Sequence, residues 1–173
     1  MTSIKRCIEN DIPTLIELVR ASYLAHYTHL WRDGGERYLA EALHPERLRG
    51  EMATAGAEFY GIRVEGKIRG MLKLNVHQHW PTSGVESAAE LERIYLHPQV
   101  KGKGLGRCLL HYAEQRARQL GKEAIWLKVV DSSPALGFYQ KFGYQAIDRT
   151  QLDFELVHPA YQKMYILEKR WEE

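Results

Sequence analysis

Glu90 and Glu92 stand two apart in AAELERIYL, a run whose branched and aromatic residues read as a strand, so their side chains leave one face together. Two carboxylates on one face attract a cation and can take a proton from an ammonium, directly or through a water. The same spacing also suits a solvated strand face paired to Arg93 or Lys73. Further on, QVKGKGLGRCLL sets Gly102, Gly104 and Gly106 ahead of an amphipathic helix. A glycine-rich turn that opens a helix gathers unpaired backbone N–H groups at the positive end of the helix dipole, where phosphate binds. Glycine lets the phosphate oxygens reach the amides, and Lys101, Lys103 and Arg107 add charge at the same place. Spacing excludes two familiar phosphate motifs. No Lys-Ser or Lys-Thr pair follows the last glycine, as a nucleotide P-loop requires, and Arg107 occupies the third glycine position of the dinucleotide fingerprint.

The elements that must position these groups follow from periodicity. Residues 3–8 read as a first strand. Asn10-Asp11 and Pro13 then start a helix whose buried face is Leu15, Ile16, Val19 and Tyr23. A helical stretch over 36–53 is reset at Pro45. The period changes to two over 58–64 and 67–76, joined by Glu65-Gly66 in a spelling suited to a tight hairpin. A loop is expected over 77–88, a strand over 89–96, a helix over 104–120 closed by Gly121, and a strand over 124–130. A short helix over 133–142 precedes Gly143, and 144–149 and 163–168 read as closing strands. The order is that of one mixed α/β domain without repeats or linkers.

Composition bounds the function. The 173 residues are 45% hydrophobic and 27% charged, ordinary for a globular chain, and a net charge of +2 demands neither nucleic acid nor an anionic membrane as partner. No apolar run approaches membrane-spanning length, and Cys7 and Cys108 read as buried free thiols, so a cytoplasmic location is expected.

The glycine run, with Gln99, Gly102 and Gly104, resembles the acyl-CoA signature of the GNAT N-acyltransferase superfamily: Gln or Arg, two residues, Gly, one residue, Gly or Ala. SPALGFYQKFGY over 133–144 resembles the superfamily's second signature, which Tyr139, Gly143 and Tyr144 match. The resemblance implies a single GNAT-like α/β (α+β) domain over 1–173, with a mixed, mostly antiparallel seven-stranded sheet and helices on both faces. Residues 1–88 would form the acceptor side, 89–149 the acetyl-CoA-binding core and 150–173 the closing strand. It also implies acetyl-CoA as donor and CoA as product. The diphosphate would lie on the amides of the run Gln99, Val100, Lys101, Gly102, Lys103, Gly104, Leu105 and Gly106, beside Arg107. Ile94, Tyr95 and Leu96 would pair with the peptide-like pantetheine arm, in a splay between this strand and that over 124–130. Ser132, where many superfamily members carry asparagine, is counted with the cofactor set.

By the same resemblance Tyr139 is the proton donor to the departing thiolate, a phenol of basicity comparable to that of the thiol, and a backbone N–H at Ile94 holds the oxyanion. Glu92, nearer the pantetheine segment, is the preferred base, with Glu90 or a water relay open. Aromatic residues of YLAHYTHLW and HQHW, namely Tyr27, Trp31 and Trp80, would border a cationic acceptor. His77 and His79 lack a third ligand at useful spacing, so no metal is expected. The finer resemblance is to bacterial polyamine (spermidine/spermine) acetyltransferases, carried by Pro45-Glu46-Arg47-Leu48, by the strand from Glu90 to Pro98 and by the late strand at 163–167. It implies a small-molecule amine partner, and a homodimer is common in the superfamily. The alternatives are a protein lysine or N-terminal amine acetyltransferase and a non-catalytic CoA-binding sensor.

Overall fold

A computed structural model describes residues 1–171. The chain runs β1 (Thr2–Arg6), α1 (Ile12–His26), α2 (Glu36–Ala42), α3 (Pro45–Ala53), β2 (Ala57–Val64), β3 (Lys67–Asn75), β4 (Ala88–Leu96), α4 (Leu105–Gln119), β5 (Ala124–Val130), α5 (Ala135–Lys141), β6 (Gln145–Gln151) and β7 (Lys163–Arg170). The strands form one seven-stranded sheet in the order β1-β2-β3-β4-β5-β7-β6. Among the described residues only the central β4–β5 pair is parallel. The first strand stops at Arg6, short of the expected Ile8, and Ile8 is exposed.

Helices cover both faces. On one, α4 buries Leu105, Leu109, Leu110, Ala113 and Ala117 against Leu72, Leu74, Leu91 and Ile125. Its apolar residues recur at three and four, and each buried leucine contributes about 1.5–3 kcal/mol. On the other face α1, α2 and α3 bury Leu15, Leu18, Leu39 and Leu48 over Phe59 and Met71. Pro45 sits in the first turn of α3, where its missing N–H costs nothing, which is why the helical stretch breaks there. Glu65 and Gly66 turn the β2–β3 hairpin with φ of 49° and 80°, the left-handed torsions such a turn needs. Cys7 is buried as expected, but Cys108 is exposed, because it falls on the solvent side of α4.

The sheet carries one irregularity that positions the site. In the β3–β4 register Lys73 pairs with Arg93 and Leu74 with Leu91, so Glu92 is an extra residue, a bulge. The bulge resets the alternation of β4. Ala89 and Leu91 face α4, and beyond the bulge so do Ile94 and Leu96, while Tyr95 turns to the α1 side.

Candidate active site

The parallel pairing of β4 and β5 ends early. Ala88, Ala89 and Glu90 register with Ala124, Ile125 and Trp126, and no further partners follow. The strands therefore part beside Ile94 and Tyr95, and a cavity of about 630 Å³ opens onto the α1 face. The cavity brings together Glu90, Glu92, Ile94, Tyr95, Tyr27, Trp31 and Tyr139, all named from the sequence.

Beyond β4, the turn into α4 has the amides a diphosphate needs. Gly102 and Gly104 take φ of 78° and 77°, a conformation in which L side chains are strained, and a Cβ on either would project into open space. Within the run expected to bind phosphate, four amides are already used. Gln99 donates to His97 Nδ1, Val100 to His97 O, Lys101 to Pro98 O and Lys103 to Val100 O. The amides of Gly102, Gly104, Leu105 and Gly106 make no hydrogen bond among the described residues, and they crowd the first turn of α4. The unpaired amides are thus fewer than the run from Gln99 to Gly106. Val100 and Leu105 instead send their side chains into the core, and Gly106 lies where a Cβ would come within 3.3 Å of Leu96.

Tyr139 projects from α5 into the cavity with 6% of its surface exposed, held edge-on by Phe138 and Tyr144 at 5.3 and 5.7 Å. Burial pushes its phenol well above the usual range, so it stays protonated. The Tyr27 phenol is also raised by burial, with the Ser133 hydroxyl opposing the shift. It is Ser133, whose Oγ accepts the Ala135 amide, that lines the cavity. Ser132 is exposed and outside it.

Glu90 and Glu92 do reach one face, and Asn75 on β3 joins them. Its Nδ2 donates to Glu90 Oε2 at 2.9 Å and to Glu92 Oε2 at 2.8 Å. Two acceptor-only carboxylates fix which way that amide points. The two acids differ in what else they touch. Glu92 pairs with Lys73 at 2.5 Å and lies 3.5 Å from Arg93, part of a network in which Glu51 of α3 receives Lys73 and both guanidinium nitrogens of Arg93. Glu90 makes no ion pair among the described residues. Burial raises its carboxyl, the Asn75 hydrogen bond opposes this, and the Glu92 charge adds to it.

The outer wall is aromatic. Trp31 stacks on Tyr38 at 4.8 Å, donates to the Tyr23 hydroxyl at 2.6 Å and meets Phe154 at 5.7 Å. Phe154 arrives because the segment between β6 and β7 is laced to the one after α1: Arg32 N donates to Leu156 O, and His158 N to Leu30 O, both at 2.8 Å. Trp80 does not join this wall. Its Nε1 donates to Asp148 and its ring packs on Trp126 beside Lys128, so it stands outside the cavity lining where it was expected. Tyr38, Phe154 and Asn75 were not singled out from the sequence. Their signals, an aromatic in a short helix, one in an irregular segment and an asparagine at a strand end, are common ones.

A central parallel pair that parts beside a glycine-opened helix defines the class of protein. The chain belongs to the acetyltransferase (GNAT) family, whose model matches residues 16–144. It is 31% identical over 150 residues to an uncharacterised N-acetyltransferase of the pepI 3′ region of Lactobacillus delbrueckii subsp. lactis, covering 83% of this chain and 85% of that one. It is 26% identical over 175 residues to a spermidine N(1)-acetyltransferase of Thermoplasma acidophilum, covering 98% and 97%. Among solved structures, the PaiA N-acetyltransferase of Thermoplasma acidophilum in complex with coenzyme A superposes with a TM-score of 0.80 at 24% identity over 99% of both chains. The yncA acetyltransferase of Salmonella typhimurium with acetyl-CoA gives 0.67 at 18%, covering 99% and 95%.

Proposed function

We propose that the protein transfers an acetyl group from acetyl-CoA to a small primary amine. The observation that carries this reading is the parting of β4 and β5 beyond Glu90, with unpaired amides at one end and Tyr139 beside it. The donor fits what is there. The amides of Gly102, Gly104, Leu105 and Gly106 would hold its diphosphate at the start of α4, and the parted edge of β4 would take its amide-bearing arm. When bound, it supplies an activated acetyl thioester. Tyr139 gives a proton to the leaving sulfur. Glu90 takes the proton from the acceptor nitrogen, since among the described residues one of its oxygens is unclaimed, whereas Glu92 is held by Lys73, Asn75 and Arg93. Glu92 then acts as fixed negative charge that draws an ammonium toward Glu90.

The aromatic wall of Trp31, Tyr38 and Phe154 closes the cavity from the side, which favours a small acceptor over a protein segment. A polyamine acceptor is a second reading, supported by the likeness to the spermidine N(1)-acetyltransferase along nearly the whole chain. Release of free thiol from acetyl-CoA, with mass spectrometry of the amine, tests the proposal against spermidine, spermine, amino acids and lysine peptides. Release with a small amine supports it. Release with peptides alone would move the acceptor to proteins, and binding without release would make the chain a CoA sensor.

A further inference from the structure

The cavity wall carries three cations, Arg47, Arg93 and Lys128, against two carboxylates, Glu90 and Glu92. Arg93 is held bidentate by Glu51 at 2.8 and 3.0 Å, and Arg47 Nε reaches the same carboxylate at 3.3 Å. Lys128 differs. Among the described residues its ammonium makes no hydrogen bond and no ion pair, although it lines the cavity.

Its place is nevertheless built. Lys128 Nζ lies 5.7 Å from the Trp80 ring centroid and 5.8 Å from that of Trp126. Each indole is pinned by its own N–H, Trp80 to Asp148 at 2.7 Å and Trp126 to Gln78 O at 2.9 Å. Indole faces attract an ammonium without neutralising it. Two anchored tryptophans therefore hold a cation at the cavity wall with its charge available. Lys128 also lies one strand repeat beyond Trp126, on the same face of β5, just past the last residue paired with β4.

We propose that Lys128 is an anion subsite of the acceptor pocket, and that the acceptor is a small primary amine that also bears a carboxylate. This rests on the acetyltransferase reading and narrows its substrate class. Such a zwitterion satisfies both uncommitted charges of the cavity, its ammonium at Glu90 and its carboxylate at Lys128. A polyamine would bring a second ammonium toward a wall whose unpaired charge is positive, and like charges across an interface select against that partner. The pair of tryptophans accounts for the position of Trp80, which orients the lysine and does not touch the acceptor.

Initial rates of thiol release with matched amines decide the point: methionine against 3-(methylthio)propylamine, phenylalanine against phenethylamine, lysine against cadaverine, with spermidine alongside. Wild type and Lys128→Met are compared, the methionine keeping the apolar stem on the indoles. The expected result is a higher kcat/KM for the carboxylate member of at least one pair. In Lys128→Met that acceptor should show a KM raised about 10- to 100-fold with its kcat kept, the effect of one hydrogen bond to a charged group. Read at a pH above the acid limb of Glu90, whose carboxyl the Lys128 charge helps hold down, the decarboxylated partner should change far less than the carboxylate member, and Lys128→Arg should restore most of the loss. Preference for spermidine or the decarboxylated amines, or an equal effect of Lys128→Met on both members of a pair, would overturn the inference and leave the enzyme reading standing. No release with any amine would overturn both.

Discussion

Glu90 and Trp126 are the last register partners between β4 and β5, and beyond them the two strands stand apart. One residue pair thus marks the boundary between a closed sheet and an open slot. The acid at that boundary faces the cavity, and the centroid of its partner indole lies 5.8 Å from the Nζ of Lys128, which lines the same cavity.

Glu90→Gln should abolish most turnover, by about 10²- to 10⁴-fold, as for loss of one general base, with the KM for acetyl-CoA little changed. The pH profile carries the sign. Burial raises the Glu90 carboxyl, a base works only when ionised, and so activity is present above that raised pKa and lost as pH falls through it. The acid limb of kcat/KM should therefore lie above the ordinary carboxylate range. A limb at the usual position, or an active Glu90→Gln with an inactive Glu92→Gln, would return the role of base to Glu92.

Asn75→Leu removes the donor shared by both carboxylates while keeping a side chain of similar size. That hydrogen bond holds the Glu90 carboxyl down against burial. Its loss should move the acid limb of kcat/KM to higher pH, read by the same rate measurements. An unmoved limb would mean that Asn75 only fills space.

Tyr139→Phe keeps the ring packed against Phe138 and Tyr144 and removes only the hydroxyl. Turnover should fall by about 10²- to 10⁴-fold, while acetyl-CoA raises the melting temperature as in the wild type. Equal activity in the variant would take the proton donation away from Tyr139.

Glu58, away from the cavity, anchors α4 to the sheet. Arg116 donates to both its oxygens at 2.8 and 2.9 Å and Tyr60 adds a hydrogen bond, and these hold its carboxyl down at about 2. A depressed pKa stabilises the fold above the unfolded-state value and loses that contribution as pH falls toward the folded one. Glu58→Gln should cost on the order of 3 kcal/mol at neutral pH in urea unfolding. The difference from the wild type should shrink between about pH 4.5 and about pH 2. A constant difference across that range would contradict the ionic origin of the effect.

Much of this was legible in the residues. Period-two and period-3.6 patterns predict the elements to within a few residues at each end, because one buried face per element leaves a repeating mark, and the glycine run marks the start of α4. The bulge at Glu92 was not legible. Strict alternation sends Arg93 to the opposite face from Glu92, whereas the extra residue brings both toward Glu51. The place of Trp80 was not legible either, since an aromatic beside histidines in a loop has the same spelling whether it faces a ligand or another indole. Lys128 left a signal that went unused, a single charge in the otherwise apolar run AIWLKVV. Ser133, one residue from the position the resemblance marks, carried no signal of its own that it would line the cavity.

Acetyl-CoA binding rests most on the amides at the start of α4 receiving a diphosphate. Titration calorimetry of acetyl-CoA into wild type and Gly104→Val tests this directly, with unfolding curves recorded without ligand, since valine at a φ of 77° strains the turn by about 1–3 kcal/mol. A second variant, Gly102→Ala, covers the case in which Gly104→Val fails to fold. Saturable binding by the wild type and binding at least tenfold weaker in a folded variant are expected. Heats no larger than dilution with the wild type, or equal affinity in both folded variants, would contradict that role of the amides.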